Sequence, residues 1–185
     1  MTMQKRLWER GWTKGTTIQP EAVKGRRTGA PQLYTLKVFL TDGPMTKAFV
    51  GKEISRTIQI RGDQTLQALH RAIFKAFDRE EEHLHEFNFG KGPYDREGPR
   101  YTVAMNRRDF MTDDVTAGDV AKTTLDSLNL EVGRAFGYWF DFGDDWRHEI
   151  RVEAIEETPP KGRFPKVTAR VGDSPPQYAD PEELE

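Results

Sequence analysis

Two alternating apolar runs in the second half of the chain constrain the fold most strongly. Every second residue from Phe136 to Phe142 is aromatic, and every second residue from Trp146 to Ala154 is apolar except His148. Side chains two residues apart lie on the same face of a strand. Gly143-Asp144-Asp145 separates the runs, and Gly and Asp tolerate the positive φ of a tight turn. The pattern therefore predicts a β-hairpin.

The hairpin pattern also predicts a register, in which Phe142 lies opposite Trp146. Three further pairs would follow from it: Asp141 with Arg147, Phe140 with His148, and Trp139 with Glu149. One face of the hairpin would then be a continuous apolar surface. The other face would carry an ion pair between Asp141 and Arg147.

The rest of the chain predicts further strands and one main helix. Apolar residues alternate over 33–40 and 54–60, and they recur every three or four residues over 65–77. Shorter patterns predict three more elements: strands at 83–89 and 101–105, and a short helix at 124–130. Because no βαβ unit repeats, we expect an α+β fold. Its single mixed or antiparallel sheet would roll around the main helix and include a C-terminal β-hairpin.

Length and charge predict one domain with two distinct ends. A chain of 185 residues, 36% of them hydrophobic and 31% charged, suits one compact core under a charged surface. Residues 1–32 are predicted to be a basic, flexible arm, since 1–30 hold seven Lys or Arg residues against two Glu. The domain is then expected to span 33–171, and 172–185 are expected to be an irregular tail rich in proline and acid. Leu184-Glu185 is typical of a cloning scar.

Composition excludes several classes of protein. The chain has no cysteine, which excludes disulfides, thiolate zinc sites and cysteine nucleophiles and favours the reducing cytoplasm. No apolar run reaches the roughly 18–20 residues of a membrane span, so no membrane contact is expected. The net charge of −2 argues against a protein that coats nucleic acid, although the basic arm could contact phosphate. No motif for a cofactor is present.

One group of candidate residues combines carboxylates and imidazoles. Its members would be potential metal ligands: His83, His85, Asp141, Asp144, Asp145 and His148, with Glu86 beside them. Such side chains within one cleft can bind a divalent metal and activate water. The alternative is structural, because His83 and His85 would share a strand face with Phe87 and Phe89, and His148 would share one with Trp146 and Ile150. Buried histidines and turn-forming aspartates explain the same residues.

A second group of candidates combines aromatic and basic side chains. Trp139 is expected on the polar face of the hairpin beside Arg147 and Arg151, where it could stack on a base or anchor a protein partner. The segment Arg163-Phe164-Pro165 would cover Trp139 equally well. Arg71, Lys75 and Arg79 lie four residues apart on one face of the predicted helix. That basic ridge is either a solvated face or a phosphate contact.

Several segments together resemble a known family. These are Thr65-Leu-Gln-Ala-Leu-His-Arg-Ala-Ile, His83-Leu-His-Glu-Phe, Phe140-Asp-Phe-Gly-Asp-Asp-Trp-Arg-His-Glu-Ile, Arg163-Phe-Pro and Pro175-Pro176. Over roughly 33–180 the chain resembles the plasmid ORF-3-like family of bacteria and archaea, some of whose members are described as passengers of insertion elements or as resolvases. The family has no established activity, so the resemblance implies a fold more than a function. Many members have cysteines near the Pro-Pro segment, where this chain has Val167, Ser174 and Tyr178.

A serine-resolvase activity is not expected from the residues. Such an enzyme needs a nucleophilic serine among arginines that stabilise the phosphate. The serines here are Ser55, Ser127 and Ser174, and none has an arginine cluster in the sequence. We therefore interpret the resolvase description as genomic neighbourhood rather than chemistry.

Three hypotheses for function remain open at this point. The leading one is a non-enzymatic binding module that contacts protein or nucleic acid through the basic arm and the Trp139 face. The rival is a metal-dependent hydrolase or nuclease-like enzyme that uses the His and Asp residues named above. The third is a structural partner that forms a homodimer through an exposed strand edge.

Overall fold

The computed structural model describes residues 29–178, apart from 94, 96 and 104–115. Most of the predicted basic arm and the end of the predicted tail, residues 179–185, lie outside the described residues. The elements, in chain order, are β1 (Leu33–Asp42), β2 (Ser55–Arg61), α1 (Leu66–Ala76), β3 (His85–Asn88), β4 (Arg100–Thr102), β5 (Thr116–Asp119), a 3₁₀ helix (Leu125–Leu128), β6 (Ala135–Phe140), β7 (Trp146–Glu156) and β8 (Lys166–Val171).

Within the residues that the structure describes, one mixed sheet of eight strands has the order β5-β4-β3-β6-β7-β1-β2-β8. Neighbouring strands are antiparallel except β4 and β5, which are parallel. In the described residues α1 is the single α-helix, so the fold is α+β but mostly sheet. That the sheet curls around α1 stays a prediction. None of the described helices has the length and apolar character that a bilayer crossing requires.

The core lies between α1 and one face of the sheet. Thr65 caps α1, since its hydroxyl accepts the Ala68 N–H at 3.3 Å. The helix then buries Leu66, Leu69 and Ile73, which the periodicity had placed on one stripe. The helix ends at Ala76, so Arg79 lies beyond it and does not extend the predicted basic ridge.

The hairpin of β6 and β7 is present, but its predicted register is wrong by two residues. Phe140 lies opposite Trp146, and Trp139 lies opposite Arg147. The turn therefore spans five residues, 141–145, in place of three. Because the shift is an even number, the side chains within β6 and β7 keep their predicted faces. Phe142 does not, because it lies in the turn and its ring contacts Trp139 in place of the apolar face.

Asp141 explains the longer turn. Asp141 and Asp145 adopt positive φ angles of 54° and 60°, and the Asp145 N–H donates to the Asp141 carbonyl at 2.7 Å. The Asp141 carboxylate accepts the Gly143 N–H at 3.1 Å. It is therefore a turn residue, and the predicted Asp141–Arg147 ion pair is wrong. Arg147 contacts Asp145 instead, at 2.7 Å between Nη2 and Oδ1.

Gly137, in the middle of β6, has no room for a side chain. A Cβ there would lie 2.2 Å from the Pro93 carbonyl oxygen. Gly137→Ala is therefore expected to lower the free energy of unfolding by about 2–3 kcal/mol. Gly143→Ala is the matched control, since its Cβ would meet nothing closer than 3.4 Å and should cost less than about 0.5 kcal/mol. Urea unfolding measures both, and equal midpoints would contradict the packing.

The predicted irregular tail is fixed to the domain as far as Tyr178. Gln177 is 3% exposed, and its Oε1 accepts the N–H groups of Glu80 and Glu81 at 2.7 and 3.0 Å. Its Nε2 donates to the Glu81 carbonyl at 2.9 Å. Residues 172–178, which we call the strap, thus have no regular structure but pack across the segment that follows α1.

Candidate functional site

The candidate binding residues of the hairpin lie on the face of the sheet opposite α1, which we call the outer face. His70 of α1 is hydrogen-bonded to Tyr138, so the alternate residues of β6 and β7 point the other way. Residues Lys37, Phe39, Trp139, Arg147 and Arg151 share the outer face, and all are partly or fully exposed. The register brings Trp139 and Arg147 directly opposite each other.

An aromatic and cationic stack forms at the hairpin end of the outer face. The Arg147 guanidinium carbon lies 3.7 Å from the centroid of the Trp139 ring. The Phe142 ring follows at 4.2 Å from the Trp139 ring. A cation over an aromatic face is held by the electrostatic field of the ring. The predicted association of Trp139 with Arg147 is therefore present.

A second aromatic and cationic group lies one strand away, around Phe39 of β1. Lys37 Nζ and Arg151 Cζ lie 4.8 and 5.2 Å from the centroid of the Phe39 ring. Arg151 also contacts Glu149, and Lys37 contacts Glu53 at 3.0 Å. Arg151 therefore contacts Phe39 rather than Trp139. Lys37, Arg147 and Arg151 each form an ion pair with an acidic side chain.

The segment predicted to cover Trp139 lies on the other side of the sheet. The Phe164 carbonyl accepts a hydrogen bond from Gln64 Nε2 at 2.7 Å. Pro165 lines a hollow together with Ala68 and Arg71 of α1. The prediction that Arg163-Phe164-Pro165 covers Trp139 is therefore wrong, because β8 is on the far edge of the sheet from β6.

Arg71 and Lys75 occupy the exposed side of α1, as their spacing predicted. They line a hollow of about 270 Å³ with Ala68, Ala72 and Pro165. These two residues lie on the α1 side of the sheet, whereas Trp139, Arg147 and Arg151 lie on the outer face. The five candidate binding residues therefore form two separate surfaces.

The potential metal ligands do not converge on one open site. His85 and His148 are 4% and 3% exposed and belong to the core under α1. His83 lies at the surface, with Nε2 2.9 Å from the Tyr178 hydroxyl and 3.5 Å from Asp141 Oδ2. Across the described residues, no group of three or more His, Asp or Glu side chains has the geometry to hold a metal ion.

The turn aspartates have structural contacts of their own. Asp145 contacts Arg147, and Asp141 holds the turn and lies near His83. Asp144 donates its backbone N–H toward the Asp141 carboxylate at 3.4 Å. The hairpin turn therefore accounts for these aspartates without a bound cation.

A histidine cluster that the sequence did not reveal lies under α1. The rings of His70 and His85 are stacked, with centroids 3.6 Å apart and planes within 2°. His70 Nδ1 lies 2.8 Å from the Tyr138 hydroxyl, and burial raises the pKa of that phenol well above its ordinary value. Burial lowers the pKa of His70 from 6.5 to about 3, with the neighbouring His85 adding to the effect.

His85 and His148 are held neutral in the same way. Burial lowers the pKa of His85 to about 4, partly opposed by a backbone hydrogen bond at His83. Burial and then the charge of Arg79 lower the pKa of His148 to about 3, opposed by the backbone of Tyr138. Neutral imidazoles in the core are consistent with the structural interpretation of these residues.

Arg79 extends this buried polar region. Its guanidinium carbon lies 3.6 Å from the Trp146 ring centroid, and Nη1 donates to the Pro175 carbonyl of the strap at 3.3 Å. Burial lowers the pKa of Arg79 to about 10, so the side chain stays charged at neutral pH. Several buried polar atoms here have no hydrogen-bond partner: Arg79 Nε and Nη2, Trp146 Nε1, both nitrogens of His148, and Nε2 of His70 and His85. All are sealed from solvent.

One serine, Ser174, lies close to a single arginine. Arg56 Nη2 donates to Ser174 Oγ at 2.7 Å, and Ser174 donates to Asp78 at 2.9 Å. The strap packs against the end of β2, and this contact joins residues that are far apart in the sequence. Arg56 is 1% exposed and its other donors contact backbone carbonyls, so the group is a buried structural contact.

Comparison with known proteins identifies the family. The family model described as "Plasmid pRiA4b ORF-3-like protein" matches residues 32–180. The chain belongs to the plasmid pRiA4b ORF-3-like family. This confirms the resemblance inferred from the hairpin and helix segments, and the match begins at residue 32, the last residue of the predicted basic arm.

A solved structure shares the fold of this plasmid pRiA4b ORF-3-like chain. It is the protein of unknown function MM3350 from Methanosarcina mazei Go1, with a TM-score of 0.58 and 24% sequence identity. The similarity covers 80% of this chain and 73% of that protein. At this identity the likeness concerns the fold alone. No curated protein matches the chain.

Proposed function

We propose that this plasmid pRiA4b ORF-3-like protein is a non-enzymatic binding module that contacts a protein partner through its outer face. The observation that carries the proposal is the combination of Trp139 under Arg147 with Phe39 between Lys37 and Arg151. Tryptophan and arginine are the residues most enriched at energetically important positions of protein interfaces. Both aromatic groups lie on rigid strands, which lowers the entropic cost of binding.

The charge balance of the outer face favours a protein over a nucleic acid. Arg147, Arg151 and Lys37 each have an acidic partner within 4 Å. A nucleic-acid surface gains its affinity from cations that replace phosphate counterions. Cations already neutralised by Asp145, Glu149 and Glu53 offer little of that gain, whereas a protein interface tolerates such paired charges at its rim.

Metal-dependent hydrolysis remains the rival hypothesis, and the described residues give it no ligand set. Its proposed ligands are divided between the core and the hairpin turn, as set out above. Nucleic-acid contact through the basic residues of 1–30 is an outcome that the experiment below distinguishes.

Site-specific photo-crosslinking in the native cell tests the proposal. A photoreactive phenylalanine analogue replaces Phe39 or Arg151 on the outer face, or Lys122 as a control, whose side chain is 84% exposed at the β5 end of the sheet. We expect one protein to crosslink at positions 39 and 151 but not 122, and to bind the purified chain directly. Equal crosslinking at all three positions, or crosslinks to nucleic acid alone, would overturn the proposal.

A further inference from the structure

A groove runs between α1 and the edge strand β8, on a surface separate from the outer face. At one end Pro165, just before β8, lines the hollow with Ala68, Arg71, Ala72 and Lys75. At the other end Arg170 Nη1 donates to the Ala76 carbonyl at 2.6 Å. The helix and the edge strand therefore lie side by side, with the open hollow at the Pro165 end and the Arg170 side chain bridging them at the other end. We call this the edge groove.

The wall formed by β8 is a free strand edge. In the part of the chain that the structure describes, β8 pairs with β2 on one side and with no strand on the other. Such an edge presents backbone N–H and C=O groups in the spacing of a strand. Extended peptides can bind by adding a strand to an exposed sheet edge, where main-chain hydrogen bonds supply affinity.

The charge of the edge groove is strongly positive. Neither α1 nor residues 158–172 contain an acidic residue. The basic residues of these two segments are Arg71, Lys75, Lys161, Arg163, Lys166 and Arg170. Among them, Arg170 contacts Asp78 at 3.3 Å, and the other five make no ion pair with the described residues. In a chain with a net charge of −2, this concentration favours an acidic ligand.

The same charges argue against two other occupants. A second copy would bring one positive edge strand against another, and like charges on paired strands are destabilising. A single-stranded nucleic acid would need aromatic side chains on which its bases could stack. The hollow is lined by Ala68, Ala72 and Pro165 between its two cations, so it offers no aromatic ring for stacking.

We propose that the edge groove binds an acidic, extended peptide segment of a partner protein, which adds as a strand to β8. Backbone hydrogen bonds to β8 would supply affinity, and Arg71 and Lys75 would pair with acidic side chains of the peptide. Small side chains at Ala68 and Ala72 leave room for the apolar residues that alternate with the acids in a strand. This site is independent of the outer face.

Fluorescence anisotropy with defined peptides tests the proposal. The probe is a labelled octapeptide that alternates glutamate with valine. The same peptide with glutamine in place of glutamate tests charge, and the Glu-Val peptide with alternate backbone nitrogens methylated tests strand pairing. We expect the Glu-Val peptide to bind at least about 10-fold more tightly than either control. Similar affinities for all three peptides would overturn the proposal.

A pair of matched charge reversals locates the binding. Arg71→Glu/Lys75→Glu should weaken binding of the Glu-Val peptide at least about 10-fold. Lys47→Glu/Lys52→Glu changes the net charge equally at two exposed residues of the β1–β2 connection and should leave affinity within about 2-fold. Amide chemical shifts should move along α1 and β8. The proposal would be overturned if both variants lost affinity for the Glu-Val peptide equally, or if the chemical-shift changes were confined to the outer face. Binding of an oligothymidylate but not of the peptide would also overturn it. The outer-face crosslinks are unaffected by any of these outcomes.

Discussion

Replacing Arg56 by methionine is expected to lower the free energy of unfolding by about 4 kcal/mol, the largest effect of any single substitution proposed for this chain. Arg56 lies on the core face of β2 between isoleucines, and the side chain is 1% exposed. Its Nε donates to the Ala76 carbonyl at the end of α1 at 2.7 Å. Its Nη1 donates to the Val171 and Gly172 carbonyls at 2.9 and 3.0 Å.

These contacts explain why the loss should be large. One guanidinium joins the end of α1, the end of β8 and the strap, and it also lies 4.9 Å from the Phe77 ring centroid. Methionine fills much of the same volume but donates no hydrogen bond, so several buried carbonyls would lose their partner. A hydrogen bond to a charged group contributes about 1.5–3 kcal/mol, and an unsatisfied buried group costs a similar amount.

The same substitution at Arg151 is the matched control for Arg56→Met. The Arg151 side chain is 54% exposed and contacts Glu149 at the surface, where such pairs contribute about 0–1 kcal/mol. Urea unfolding at pH 7 followed by tryptophan fluorescence measures both variants. An unfolding midpoint for Arg56→Met close to that of Arg151→Met would contradict the role assigned to Arg56.

Acidification from pH 7 to pH 5 is expected to destabilise the protein by on the order of 5 kcal/mol. The folded-state pKa values of His70, His85 and His148 lie at about 3, about 4 and about 3, below the ordinary 6.5. Below pH 6.5 the unfolded chain therefore binds protons that the folded chain does not. Stability falls as the pH decreases from about 6.5 toward 4, by about 2 kcal/mol per histidine at pH 5.

The variant His148→Leu isolates one contribution to this pH dependence. Neither nitrogen of His148 makes a hydrogen bond of normal geometry, so leucine loses at most a weak contact with the Tyr138 backbone. We expect the loss of stability between pH 7 and pH 5 to shrink by about one third, and the variant to be at least as stable as the parent chain at pH 5. Urea titrations at pH 7, 6 and 5 measure the free energy of unfolding of both proteins. The same loss of stability between pH 7 and pH 5 in His148→Leu as in the parent chain would contradict the prediction.

Local sequence patterns predicted the elements that bury one regular stripe or face. The alternation from Phe136 to Ala154 predicted β6 and β7, and the spacing of Leu66, Leu69 and Ile73 predicted α1. The hairpin register could not be predicted in the same way. It depends on Asp141 leaving the strand to accept backbone hydrogen bonds in the turn, and a shift of two residues preserves the apolar pattern.

Local sequence patterns did not predict the contacts between segments that are distant in the chain. β8 was not among the predicted strands, although Val167, Ala169 and Val171 alternate with polar residues there, and its side chains are exposed at most positions. The burial of Arg79 depends on Trp146 and on Pro175 of the strap, which are 67 and 96 residues away in the chain. His70 was placed on the helix, but its stacking on His85 follows from how α1 crosses β3.

The positions of Trp139 and Arg147 on the hairpin were predicted, but their neighbours on the adjacent strands were not. Trp139 and Arg147 were expected on one polar face, and they stack there. Phe39 was assigned to a strand without a functional role, because its contact with Arg151 requires β1 to lie beside β7. The edge groove likewise requires the pairing of β8 with β2, which places Pro165 beside Arg71.

The most direct test of the outer face as a protein interface uses the partner that crosslinking identifies, purified separately. Titration calorimetry measures the dissociation constant of its complex with this protein. The test variant is Phe39→Ala/Arg151→Glu, and the control is Lys47→Glu/Lys52→Glu. We expect the test variant to weaken binding at least about 30-fold, since removal of an interface anchor typically costs about 2 kcal/mol or more. The control should stay within about 2-fold. Equal affinity of both variants for the partner would contradict the account.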